Sequence, residues 1–134
     1  MTLDRLVRRI HVSLSNKALD FDPDRIGPAG AMLILTLDEL GCVPMQTLAK
    51  NMHRDKSQMT RIVQMLERKE LLTRQTSEAD ARVTLVALSE KGRALVATHQ
   101  AALAETLDDL LGHLSDQDVA VLTRLLKIRP SNTD

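Results

Sequence analysis

Ser57, Thr60, Arg61, Gln64 and Arg68 are spaced so that, at about 100° per residue, they share one face of an α-helix, and none of them is acidic. These side-chain types carry a particular chemistry. Arginine can grip a guanine edge through two parallel hydrogen bonds, glutamine can do the same for adenine, and hydroxyls and lysines bind phosphate oxygens. Arg61 is therefore the candidate for guanine, Gln64 or Gln58 for adenine, and Lys56, Ser57 and Thr60 for phosphate or mixed contacts. Arg54, Arg68 and Arg74 complete the set of candidate contacts on this part of the chain. His53, beside Arg54, is placed either to touch phosphate or to be solvated.

The opposite face positions these groups. Met59, Ile62, Val63 and Leu66 fall at i, i+3, i+4 and i+7, an apolar stripe that must be buried. Asp55 suits the N-cap, with Gln58 three residues on to close a capping box. Lys56, Ser57 and Gln58 then form a first turn whose free N–H groups and positive dipole end favour a phosphate. Upstream, Pro44 suits a first helical position, and Met45, Leu48, Ala49 and Met52 keep helical spacing. A short helix, a turn through His53 and Arg54 and a longer amphipathic helix make a helix-turn-helix.

After Lys69 the period changes to that of a hairpin. Leu71, Leu72, Thr73 and Arg74 read as one strand, and Val83, Leu85 and Ala87 alternate with Thr84, Val86 and Leu88 in a second. Residues 75–82 form the connecting tip. Asp80 and Arg82 lie two apart on it, where a carboxylate can brace a guanidinium that reaches into a minor groove. The remainder reads as helices: about 3–19, with Leu3, Leu6, Val7, Ile10 and Leu14 as one stripe; about 26–40, closed by Gly41; one capped by Ser89 and running to about 111; and a last one from Ser115 and Asp118 through Lys127. Leu103, Leu107, Leu110 and Leu114 continue an apolar seam beyond what one small head needs to cover. With the N-terminal stripe, this is more apolar surface than a monomer buries, so the terminal helices are expected to make a homodimer. The fold class is mainly α with a small β-hairpin wing.

Composition narrows the function. Phe21 is the single aromatic residue, which argues against base-stacking platforms for single strands. The net charge is zero, with 18 basic and 18 acidic residues, but it is segregated. Between residues 44 and 74 seven basic residues face three acidic ones, a net of +4, whereas from His99 onward three face six, a net of −3. A positive head on an acidic dimer body follows, with double-stranded DNA as the partner. No apolar run approaches the roughly 20 residues of a membrane span and no signal-peptide pattern opens the chain, so a cytoplasmic protein without membrane attachment is expected.

Other chemistries find little support. Cys42 is the only cysteine, which excludes an intramolecular disulfide and makes a structural role the simpler reading beside oxidation sensing. His11, His53, His99 and His113 lack metal-binding spacing, and no cofactor site is expected. Asp108 and Asp109 beside His113 point about 100° apart along a helix and share no focus. With no glycine-rich phosphate loop and no nucleophile next to a base, the chain is not expected to be an enzyme.

Five pieces in order resemble the MarR family of winged helix-turn-helix regulators: GPAGAMLILTL, QTLAKNM, DKSQMTRIVQMLERKELLTR, the Asp80-Ala81-Arg82 element and LSEKGRALV. The resemblance spans about residues 27–96, roughly half the chain. It implies a single domain over 1–134, with a winged head at about 27–88 and dimerisation helices at about 3–19 and 89–128. It also implies a homodimeric, ligand-responsive repressor on a pseudo-palindromic operator, with Arg82 entering the minor groove. The family's effector pocket lies between the dimer helices and the head, which makes Arg8, His11 and Met32 candidate wall residues for a small molecule. Two departures stand out. Family members commonly carry Gly where this chain has Glu70, and a left-handed residue other than Gly costs about 1 kcal/mol or more, which predicts a different turn after the recognition helix. The chain also starts close to the first helix, so the extension that often adds dimer contact looks short. The alternative function is a dimeric winged-helix module that docks a protein partner without binding DNA; Lys56, Arg61 and Arg68 speak against it.

Overall fold

The computed structural model describes residues 4, 5, 8, 9, 11–13 and 16, all helical, and then 22–125. The stripe of Leu3, Leu6, Val7, Ile10 and Leu14 lies outside the described residues, as does Lys127. From residue 27 the elements run α1 (Gly27–Leu40), β1 (Val43–Pro44), α2 (Met45–Met52), α3 (Lys56–Arg68), β2 (Leu72–Thr76), β3 (Thr84–Leu88), α4 (Glu90–Leu111) and α5 (Asp116–Leu125).

Helix α1 starts where Asp22 places its two carboxylate oxygens 2.9 Å from the amides of Ile26 and Gly27. It ends at Gly41, whose φ of 75° lets its amide turn back to the Leu37 carbonyl at 2.8 Å. Leu33, Ile34 and Leu37 on its inner face pack into one core with Leu48 of α2, Met59, Val63 and Leu66 of α3, and Leu95 and Val96 of α4. Three of the four apolar residues expected on the inner face of α3 are fully buried, while Ile62 packs half-buried at the core edge.

The three strands form an antiparallel sheet in the order β1-β3-β2. The hairpin pairs Leu72 with Leu88 and Thr76 with Thr84, so the first strand runs two residues nearer to the tip than its sequence pattern suggests and the second begins one residue later, leaving residues 77–83 as the loop. Thr76 is exposed and carries no apolar signal; cross-strand pairing with Thr84 extends the first strand there. Strand β1 was not expected at all. It pairs Val43 with Val86 and Pro44 with Leu85, and two residues carry no periodicity. Pro44 accordingly has extended ψ (144°) and stands as the N-cap of α2 rather than its first residue. A proline is tolerated in β1 because this strand lies at the sheet edge.

Helix α4 has Ser89 as its N-cap, as expected. Before α5, Ser115 and Asp118 form a reciprocal capping box: each backbone amide donates to the other's side chain at 3.1 Å.

Candidate nucleic-acid interface

Helix α3 is closed at both ends by defined turns. Asp55, in extended backbone, accepts the Gln58 amide at 2.8 Å, which is one half of the expected capping box. The preceding turn is a Schellman motif in which His53 adopts φ 51° and ψ 41°; His53 and Arg54 return their amides to Lys50 and Ala49. The expected turn through His53 and Arg54 is present, and its left-handed position is held by a histidine.

At the far end of α3 the expected departure does not occur. Glu70 has φ 60°, and the amides of Glu70 and Leu71 return to the carbonyls of Glu67 and Leu66 at 2.9 Å each. This is the same left-handed Schellman closure that glycine usually makes, accompanied by its hydrophobic contact, since Leu66 and Leu71 are both fully buried. Burial of that leucine pair offsets the backbone strain at Glu70, so the turn type is retained.

Between these ends, Lys56, Ser57, Gln58, Arg61, Gln64 and Arg68 are exposed. Thr60 is half-buried and its hydroxyl donates to the Lys56 carbonyl at 2.8 Å, which leaves the hydroxyl oxygen as an acceptor. The first turn of α3 contains no acidic residue. Arg54 is exposed beside it.

Opposite α3 stands the wing. One oxygen of Asp80 accepts both the backbone amide of Arg82 at 3.0 Å and its Nε at 3.2 Å. The backbone hydrogen bond, then the guanidinium, hold the Asp80 carboxyl below the usual carboxylate range. The Arg82 side chain is 91% exposed, so its two terminal nitrogens project from the tip. The loop is closed beneath them by Val83 donating to the Asp80 carbonyl and Ser77 to that of Val83. Lys56 and Thr60 of α3, Thr47 of α2, and Arg74, Arg82 and Thr84 of the wing together line a groove of about 750 Å³. Gln46 and Thr47 were not singled out in the sequence, where nothing distinguishes them from other polar positions on a helix surface. Only the fold of α2 against the wing brings them to this groove.

Arg74 differs from the other candidates. Its Nε and Nη2 bind the two carboxylate oxygens of Glu67 at 2.8 and 3.0 Å. That hydrogen bonding lowers the Glu67 pKa and raises that of Arg74, and the positive charge of Arg74 is matched locally. The net charge between residues 44 and 74 is therefore displayed by Lys50, Arg54, Lys56, Arg61 and Arg68, all exposed.

The ligand candidates are not brought together by any described contact. Arg8 is exposed and paired with Asp4, His11 is exposed, and Met32 is 57% exposed on α1. Cys42 is exposed in the loop between α1 and β1. Among the described residues no group of three His, Cys, Asp or Glu side chains is placed to hold a metal ion, and no helix is long and apolar enough to cross a membrane.

The MarR family model matches residues 29–84, from α1 to the first residue of β3. The HTH-type transcriptional regulator MhqR of Bacillus subtilis (strain 168) is 30% identical over 102 residues, 76% of this chain and 70% of that protein. A mutant MarR from E. coli complexed with operator DNA superposes with a TM-score of 0.72 at 24% identity, covering 93% of this chain and 91% of the other. Bordetella bronchiseptica BpsR, whose DNA binding is regulated by 6-hydroxynicotinic acid, gives 0.68 at 23% identity over 92% and 95%. The two structures speak for the fold. With the family model on the helix-turn-helix and wing, and with MhqR at this identity and coverage, the chain belongs to the MarR family of winged-helix transcriptional regulators.

Proposed function

We propose that the chain acts as a homodimeric repressor that binds a pseudo-palindromic operator in double-stranded DNA and is released by a small-molecule effector. The observation that carries the reading is the pairing of an exposed, acid-free face on α3 with an exposed Arg82 across one groove. In this arrangement α3 enters the major groove, where Arg61 and Gln64 meet base edges. Lys56, Ser57 and Thr60 grip phosphate, and Arg82 reaches the adjacent minor groove. The E. coli MarR mutant complexed with operator DNA supports the mode of binding, and BpsR supports effector control.

Dimerisation is supported by apolar surface that one chain leaves open. Val12 is 55% and Met32 57% exposed, and Leu103, Leu107 and Leu114 are only half-buried. The head at about 27–88 would read DNA, and the helices at about 3–19 and 89–128 would join two heads at the roughly 34 Å spacing of successive major grooves. An effector seated near Arg8, His11 and Met32 would favour a different spacing and release DNA. A cytoplasmic, non-enzymatic regulator fits the same reading.

A gel shift with the duplex flanking the protein's own gene, at two salt concentrations, tests it. Salt-sensitive retention by a dimer is expected. Retention that is absent on every duplex sinks the reading in favour of a protein-docking module.

A further inference from the structure

Lys69 and Lys91 flank the wing in sequence, yet both ammonium groups are held by the protein's own oxygens. Lys69 Nζ donates to the backbone carbonyl of Asp24 at 2.7 Å, in partly buried surroundings. Lys91 Nζ donates to the carbonyl of Lys69 at 3.0 Å and lies 3.9 Å from the Asp24 carboxylate. Three segments distant in sequence meet here: the loop ahead of α1, the closing turn of α3 and the first turn of α4.

The α4 side of this joint has no slack. Ser89 donates its hydroxyl to the Glu70 carbonyl at 2.6 Å and its amide to the Leu71 carbonyl at 3.1 Å. A Cβ on Gly92 would lie 2.0 Å from the Leu71 oxygen, so the two backbones are in direct contact. The α1 side is equally defined, because Asp22 ties down the amides of Ile26 and Gly27 and Arg25 takes φ 53°. Lys69 is the side chain of the α3 turn that reaches across to this loop.

We propose that Lys69 is a positioning residue and not a phosphate contact: by tying the last turn of α3 to the loop ahead of α1, it sets the angle at which Arg61 and Gln64 are presented. The inference rests on the DNA-binding reading above. A lysine committed to a carbonyl releases no counterion when DNA binds, whereas an exposed lysine such as Lys56 does. The two roles therefore differ in a measurable way.

The test compares the full-length protein with Lys69→Met, Lys69→Arg and Lys56→Met. Affinity is measured against salt on a random-sequence duplex and on the duplex flanking its own gene, and amide hydrogen exchange is followed in the free protein. Lys69→Met is expected to weaken binding to the flanking duplex while leaving the salt slope of random-duplex binding unchanged, and Lys56→Met to lower that slope by roughly 0.9. Exchange at Glu70 and Leu71 should quicken by about tenfold or more in Lys69→Met without a matching rise at Val63, and Lys69→Arg should restore both affinity and protection. A slope that falls in Lys69→Met as it does in Lys56→Met overturns the proposal, as does unchanged exchange at Glu70 and Leu71. If the unmodified protein shows no salt-dependent binding to either duplex, the DNA-binding reading itself fails, and the proposal with it.

Discussion

The carbonyl of Glu70 accepts the Ser89 hydroxyl at 2.6 Å, and the same hydroxyl accepts the Gly92 amide at 3.0 Å. One side chain thus caps α4 and closes the turn after α3. The two helices are separated in sequence by the whole wing, yet their adjoining ends share a hydrogen-bond relay. The orientation of α3, the helix proposed to read DNA, is consequently referred to the helix proposed to carry the dimer.

Glu70→Gly should stabilise the fold. Glycine removes the cost of a side chain at φ 60°, offset in part by greater freedom of the unfolded chain, for a net gain of about 0.5–1 kcal/mol. Denaturant titration at fixed protein concentration measures it; a loss of stability would mean that the Glu70 side chain contributes more than its backbone strain costs.

Gly92→Ala should do the opposite. The added methyl meets a backbone oxygen 2.0 Å away that belongs to a paired strand entry and cannot rotate aside. Destabilisation of about 2 kcal/mol or more is expected in the same titration, with DNA affinity reduced even at temperatures where the protein remains folded. Wild-type stability in this variant would contradict the tight packing of α4 on the α3 turn.

Arg61→Ala and Lys56→Ala should weaken DNA binding in different ways. Loss of Arg61 should cost about 1–3 kcal/mol on the operator and relax preference at one base pair per half-site. Loss of Lys56 should weaken all sequences alike and flatten the salt dependence. Competition assays on single-base operator variants separate the two, and equal losses on every variant for Arg61→Ala would remove it from base reading.

Asp80→Asn should disorder the guanidinium without unfolding the head. The Asp80 pKa is lowered from 3.8 by the Arg82 amide and then by its side chain, so the ordering is complete above that value and disappears as pH falls through the depressed one. From pH 5 to 8 the wing should show no change attributable to Asp80. Arg82→Ala should lower operator affinity with the dimer intact, and Asp80→Asn should lower it less. NMR of the Arg82 Nε–H against pH, with binding assays on both variants, checks this; an Arg82→Ala protein of undiminished affinity would exclude the wing.

Glu67→Ala should release Arg74. Both partners are partly exposed, so the pair contributes under about 1 kcal/mol to stability, and little of the fold should be lost. The freed guanidinium opens on the groove beside Lys56, so affinity for random-sequence duplex should rise and its salt slope steepen. An unchanged slope would indicate that Arg74 is directed away from DNA even when unpaired.

What could be read in the chain followed from local rules. The inner stripe of α3 is a matter of 3.6-residue periodicity, the caps at Asp55, Ser89 and Ser115 are side-chain chemistry within three residues, and the Asp80–Arg82 brace spans two. Each of these is decided by neighbours in sequence, so the sequence by itself determined the helices from α1 to α5, the hairpin of β2 and β3, their order and the polar face of α3.

Long-range contact decided the rest. Strand β1 exists because β3 offers it a partner, and Pro44 is drawn out of α2 to meet it. Glu70 keeps a left-handed turn because Leu66 and Leu71 are buried on either side of it, a gain that no local propensity contains. Arg74 and Lys69 carry the same charge as Lys56, but tertiary packing sets a carboxylate against one and a carbonyl against the other. Charge is a property of the residue; whether that charge is available to a partner depends on which oxygens the fold brings within about 3 Å of it.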